Sequence, residues 1–232
     1  MFALACLGAL GWFIGVEHRA TRPLIPLRLF THRAVLAASV VMFASGGAMS
    51  SAFYFMTLQL QRVEERSPLQ TGVLFLPLSV ATLLAGVLSS TVQRRLGGAG
   101  AVRLGTALSA LGLAATAVLF ALRLPGVAAG AAALFGGGIA FILAGSAHLA
   151  TAHLAEKDAG FASGMIATSQ HFGAVIVLAC CVWLSATAAP AGPGPPHYVV
   201  GLIGAAGACL AAFAGTFLVP RVDSTDPSAA SQ

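Results

Sequence analysis

Side chains able to do acid–base or nucleophilic chemistry are scarce in this sequence, so their positions limit what it can do. The seven acidic residues, Glu17, Glu64, Glu65, Glu156, Asp158, Asp223 and Asp226, all fall between or beyond long apolar runs. None is placed to bind a proton inside a hydrocarbon layer. His171 differs, because it lies within an apolar run, with Gln170 beside it and Gly164 and Thr168 on its own helical face. It is the one ionisable residue expected near the inner surface of its helix. An ionisable group there is costly and therefore a functional candidate; the competing reading places it close enough to one membrane face to be hydrated or simply hydrogen-bonded. His148 and His153 are five apart, which does not match the i, i+4 pair of a zinc helix, and no HExxH occurs. Cys6, Cys180, Cys181 and Cys209 lie in apolar runs without CxxC spacing and read as small buried apolar residues. There is no GxSxG elbow, Walker loop or catalytic carboxylate pair, so neither an enzyme nor a metal or other cofactor is expected.

The elements that must position these residues are apolar helices. The chain is 58% hydrophobic and 8% charged, with a mean hydropathy of +0.90. Soluble domains carry about 25% charged residues, so this composition belongs in lipid. The net charge of +5 comes from residues scattered in short gaps, with no basic stripe, and nucleic acid is not an expected partner. A helix needs about 20 apolar residues to cross a hydrocarbon core of about 30 Å. Suitable segments lie near 1–16, 34–60, 69–92, 103–122, 126–150, 161–187 and 197–219. The first is short and has no basic residue ahead of it, which reads as the tail of a helix rather than a signal peptide.

Basic residues in the gaps give an orientation. Nine (Arg19, Arg22, Arg28, Arg33, Arg94, Arg95, Arg103, Lys157 and Arg221) fall in alternate gaps and the tail, whereas Arg62, Arg66 and Arg123 occupy the others. The richer set is expected to face the cytoplasm, together with the C-terminus. In the last segment Gly204, Ala208 and Ala212 form one small-residue row and Gly207, Ala211 and Gly215 another, a pattern for close helix packing. The sequence does not say whether the partner helix belongs to this chain.

Four stretches in order resemble the C-terminal half of a major facilitator superfamily drug-efflux transporter, of the fourteen-helix drug:proton antiporter group (EmrB/QacA-like). PLIPLRLFTHR, residues 23–33, resembles the segment leading into the C-terminal bundle; on physical grounds it is equally an amphipathic linker at the membrane surface. In SPLQTGVLFLP, residues 67–77, Ser67 suits an N-cap, Pro68 the first helical position, and Pro77 should bend the helix. STVQRRLG, residues 90–97, is similar to the cytoplasmic-loop pattern GxLADRxG, with Arg95 and Gly97 matching while Ser90 and Arg94 replace its glycine and aspartate. A conformational latch and a plain positive-inside loop are the two readings there. GFASGMIATSQHFGA, residues 160–174, resembles GxASGxxNTxRQxGGA: Gly160, Ala162, Ser163, Gly164, Thr168, Gly173 and Ala174 agree, and Ala167, Gln170 and His171 depart.

The resemblance implies an all-α integral membrane protein: a six-helix C-terminal bundle of the major facilitator fold preceded by one partial helix, about seven transmembrane segments in all. It divides the chain into a partial linker helix and amphipathic segment (1–33), the bundle (34–220) and a cytoplasmic tail (221–232). Helix packing is expected at Gly160, Ser163, Gly164, Gly173, Gly204, Ala208 and Ala212, and Thr168, Gln170 and His171 are candidates for a substrate cavity. The implied function is proton-coupled efflux of small amphipathic or cationic compounds, in a bacterial inner membrane. The coupling acids belong to an N-terminal half that this chain lacks, so a truncated or split carrier, inactive alone, is expected. Its partners would be membrane lipids, the substrate once assembled, and an N-terminal half-transporter or a second copy of itself. The alternative is a non-transporting membrane interaction protein or a degenerate fragment.

Overall fold

The apolar runs become helices because a backbone in lipid must satisfy its polar groups within its own segment. A computed structural model describes residues 33–151, 156–188 and 196–218, all of it helix and short turns. The expected first segment, the 23–33 stretch apart from Arg33, and the tail lie outside the described residues. Helix α1 (Arg33–Leu58) runs directly into a π turn, Gln59–Val63. It is followed by α2 (Pro68–Leu74), α3 (Leu76–Ala121), α4 (Pro125–Thr151), α5 (Glu156–Thr187) and α6 (Pro196–Leu218). Among the described residues five helical stretches are long and apolar enough to cross a membrane. One of them, Pro68–Ala121, has 54 residues, well over twice the length of about 20 that a crossing needs.

That stretch is divided at a single residue. Gly97, at φ 71 and ψ 171, is the one non-helical position inside α3 and separates an arm of residues 76–96 from an arm of residues 98–121. The sequence suggested a loop of about ten residues between those segments; instead Arg94, Arg95 and Arg103 all lie within helix. The surrounding Gln, Arg and Leu residues are good helix formers, and only glycine enters this backbone region without cost. The contacts confirm a reversal: along the first arm Leu78 meets Gly136 of α4 and Ala85 clusters with Ala140 and Phe141, in ascending order, while Gly105 and Gly98 of the second meet Gly138 and Gly145 in descending order. The first arm therefore runs parallel to α4 and the second antiparallel.

The entry to α2 follows its residues. Ser67 Oγ accepts from the Gln70 N–H at 3.3 Å, Gln70 Oε1 accepts from the Ser67 N–H at 3.1 Å, and Pro68 follows the cap. Pro77 has no N–H to donate to the preceding turn, and the helix breaks at Phe75, whose ring lies 5.3 Å from that of Phe53 on α1. Helix α5 begins at Glu156, so its acids open the helix rather than lie in a gap; acids are favoured in a first turn.

Two glycine-lined seams hold the core. Along the second arm of α3, Gly98, Gly105 and Gly112 recur every seven residues and meet α4 at His148, Gly138 and Phe135. A Cβ on Gly138 would sit 2.7 Å from the Ser109 amide nitrogen, and one on Gly105 2.9 Å from that of Ile142. Ser109 Oγ donates to the Phe135 carbonyl at 3.4 Å, and Thr116 Oγ1 reaches the Ala128 carbonyl at 3.5 Å. The consecutive glycines Gly136, Gly137 and Gly138 seat both arms of α3 against α4, because successive helical residues point about 100° apart. The second seam joins α1 to α5: Gly46 meets Gln170, Gly47 meets Val177, and Gly173 meets the Phe43 backbone. Phe55 of α1 covers Gly201 of α6. Phe55, Phe135, Leu113, Ile142 and Leu202 are fully buried where these helices converge.

Candidate functional site

The polar residues of α5 divide between two faces. Ala162, Ile166, Gly173 and Cys181 are buried against the bundle. Gly160, Gly164, Ala167, Thr168, His171 and Val175 fall on the opposite side and are exposed, Val175 by 69%. No atom lies within 4 Å of a Cβ built on Gly160 or Gly164. These glycines therefore make no close contact with the described chain, whereas Gly173 is pressed against Phe43. Ser163 is exposed, and Gln170 is half-buried with its backbone against Gly46. Thr168 and His171 share the outward face; Gln170, adjacent in sequence, belongs to the α1 seam. Ser169, between them, returns its hydroxyl to its own helix at the Met165 carbonyl, 2.8 Å away.

In α6, Gly204 lies over Cys181, whose sulfur would be 3.1 Å from an added Cβ. Ala212 is buried and Ala208 half-buried, whereas Gly207 and Ala211 of the other row are exposed. Cys181 and Cys209 are buried, but Cys180 is exposed, since neighbouring helical positions cannot both face the core. Among the described residues no group of three His, Cys, Asp or Glu side chains is arranged to hold a metal.

The arginines at the turn do three different things. Arg94 donates to Thr91 Oγ1 on its own helix at 2.9 Å. Arg95 is exposed beside Gly97. Arg103 is half-buried and donates to the Thr216 carbonyl at 3.3 Å, in the last turn of α6. Helix C-termini leave carbonyls without intrahelical donors and carry partial negative charge, so this guanidinium anchors the end of α6. One end of the bundle thus gathers Gly97, Arg103, His148 and Thr216; the other gathers the π turn, the turn at Arg123, and Val199.

The spans differ sharply in how much of themselves they bury. The most apolar stretches of α1, α4 and α6 are 61, 56 and 39% buried, while those of Pro68–Ala121 and of α5 are each 17% buried. Residues 2–178 match the profile of the Major Facilitator Superfamily. The chain belongs to that superfamily. Among curated relatives it is 32% identical over 220 residues to the lincomycin resistance protein of Streptomyces lincolnensis, covering 90% of this chain and 44% of that protein. It is 29% identical over 225 residues to the cephamycin export protein CmcT of Amycolatopsis lactamdurans, covering 93% of this chain and 45% of that one. Over 111 residues it is 39% identical to the methyl viologen resistance protein SmvA of Salmonella typhimurium, 46% of this chain and 22% of the relative. The chain spans under half the length of each of these relatives. As a superfamily member it is an integral membrane protein of a transporter family.

Sequence reasoning named Gly173 for helix packing but missed the other glycines of the two seams, although the seven-residue spacing of Gly98, Gly105 and Gly112 was a readable signal. It also missed Gln70 as the second half of the capping box, and Arg103 as the anchor of α6. The first was available as SxxQ; the second had none, because Thr216 is 113 residues away.

Proposed function

We propose that the bundle spanning residues 34–220 is the C-terminal half of a proton-coupled carrier that exports small amphipathic or cationic compounds, and that it supplies one wall of the translocation cavity. The observation that carries this reading is the outward stripe of α5, where Gly164, Thr168 and His171 face away from the close seam that α5 makes with α1. Small and polar residues on an outward face suit a second helical unit or an aqueous cavity better than lipid. The low burial of the first arm of α3 and of α5 supports these two as the spans that meet the complementary half. The names of the relatives, a lincomycin resistance protein and a cephamycin export protein, support small-molecule export as the class of activity. All described acids lie at or beyond helix ends, so the coupling acid comes from the other half. In a bacterial inner membrane the end carrying Arg94, Arg95 and Arg103 faces the cytoplasm.

The test is efflux of a fluorescent cationic dye from a pump-deficient bacterium expressing this chain alone or with an N-terminal half-carrier, with membrane insertion measured in the same cells. Efflux that appears on co-expression and collapses with a protonophore is the expected result. A well-inserted chain that neither exports alone nor is rescued would overturn the proposal and leave a membrane interaction protein.

A further inference from the structure

Helix α5 carries one ionisable side chain at its middle. Along Glu156–Thr187, His171 lies 15 residues after the first position and 16 before the last, about 22 and 24 Å from the two ends. A hydrocarbon core of about 30 Å includes His171 wherever along this helix the core falls. Helix α1 gives the same level independently, because Gln170 abuts Gly46, which is 13 residues after Arg33 and 12 before Leu58. Every other Asp, Glu, Lys, Arg or His among the described residues lies in a turn or within six residues of a helix end or of Gly97.

His171 is exposed on the outward face. Helical side chains lean toward the N-terminus, so the imidazole overlies the exposed turn of Ala167 and Thr168, with Gly164 one turn further. A Cβ on Gly164 would meet no atom within 4 Å. Small residues thus leave an open shelf beside the ring, and Thr168 is its polar neighbour. The helices packed against α5 bring no charge to this level. Helix α1 has no titratable side chain from Ala34 to Phe53, and α4 has none from Pro125 to Ala147. Helix α6 has only His197 and Tyr198, in its first turn, and the buried Cys209. On α5 itself, Cys180 and Cys181 stand more than two turns beyond His171, and Glu156, Lys157 and Asp158 more than three turns before it. Among the described residues, the charge of this face at mid-span is therefore set by His171 alone.

We infer that His171 is a proton-switched charge selector: with a neutral imidazole the outward face of α5 admits a cationic compound to mid-span, and a proton on the free ring nitrogen excludes it. This inference rests on the export reading given above and deepens it. Imidazole is the side chain that gains a proton under mildly acidic conditions, and no carboxylate at this level offsets the charge it acquires. Two like charges a few ångströms apart repel far more strongly in a poorly solvated site than in water. An uncharged compound meets no such barrier, so the selection acts on charge rather than on size.

The test uses everted membrane vesicles holding the chain co-expressed with an N-terminal half-carrier, buffered at about pH 6 or about pH 8 with the same pH difference across the membrane. Uptake of ethidium, a permanent cation, is measured beside uptake of Nile red, which is uncharged and reports the driving force. Ethidium uptake should fall by about tenfold from the higher to the lower pH while Nile red uptake does not follow it. His171→Gln should abolish that fall. His171→Arg, with its insertion measured, should keep ethidium uptake low at both values. Ethidium uptake that falls equally in His171→Gln, that does not fall in the unsubstituted carrier, or that Nile red uptake follows in parallel would overturn the inference and leave the export reading standing. Energised uptake of neither compound by well-inserted protein would overturn that reading and the inference with it.

Discussion

The seam between the second arm of α3 and α4 and the outward face of α5 are built from the same residue types at the same helical spacings. In the seam, Gly105, Gly112 and Gly138 bring two backbones so close that a methyl group has no room. On α5, Gly160 and Gly164 meet nothing within 4 Å. The difference teaches that a small-residue row encodes the ability to be approached closely and leaves the identity of the approaching helix open. In the seam that helix is in the same chain; for α5, in the reading proposed above, it belongs to the complementary half.

Substitutions sharpen this contrast. Gly138→Val should be the most damaging, since even its Cβ would collide with the Ser109 backbone. A loss of about 3 kcal/mol is expected, read as a lower melting temperature in detergent and reduced accumulation in the membrane. Gly97→Ala meets no atom but forces a side chain into φ 71, ψ 171. It should cost about 2 kcal/mol in the same melting experiment, separating backbone strain from packing. Ser67→Ala removes the capping box at the entry to the poorly buried span, for about 1 kcal/mol, and Ser67→Asp should recover most of it. Gly164→Ala should change the chain's own melting by less than about 0.5 kcal/mol while lowering dye efflux of the assembled carrier. Were Gly164→Ala instead to destabilise the purified chain as strongly as Gly138→Val, the outward face would already be covered by a second copy, and the contrast would fail.

Much of the fold was legible because length and hydropathy bound a membrane helix so tightly. The spans from 34 to 219 fall within a few residues of the expected positions, and Ser67, Pro68 and Pro77 act at the helix ends and bend as their types dictate. The three clustered arginines were harder. Their basic character argued for a loop, and a single glycine made one unnecessary by reversing the chain within two helical arms. The candidate site was legible only in part. Helical geometry puts Thr168 and His171 on one face, but adjacent Gln170 belongs to another, and no sequence rule says which face turns inward.

The sequence by itself determined that this chain lives in a membrane, roughly where its described helices run, and, through the family its motifs resemble, the class of protein to which it belongs. These follow from local properties: apolar length, helix-capping chemistry and the restricted backbone of proline. The tertiary structure alone decided that Gly105 lies against Gly138, that Arg103 holds the end of α6, and that His171 faces outward. Each of these depends on which helices become neighbours, and in lipid that choice rests on shape and backbone approach, because apolar surface is equally at home against lipid or protein.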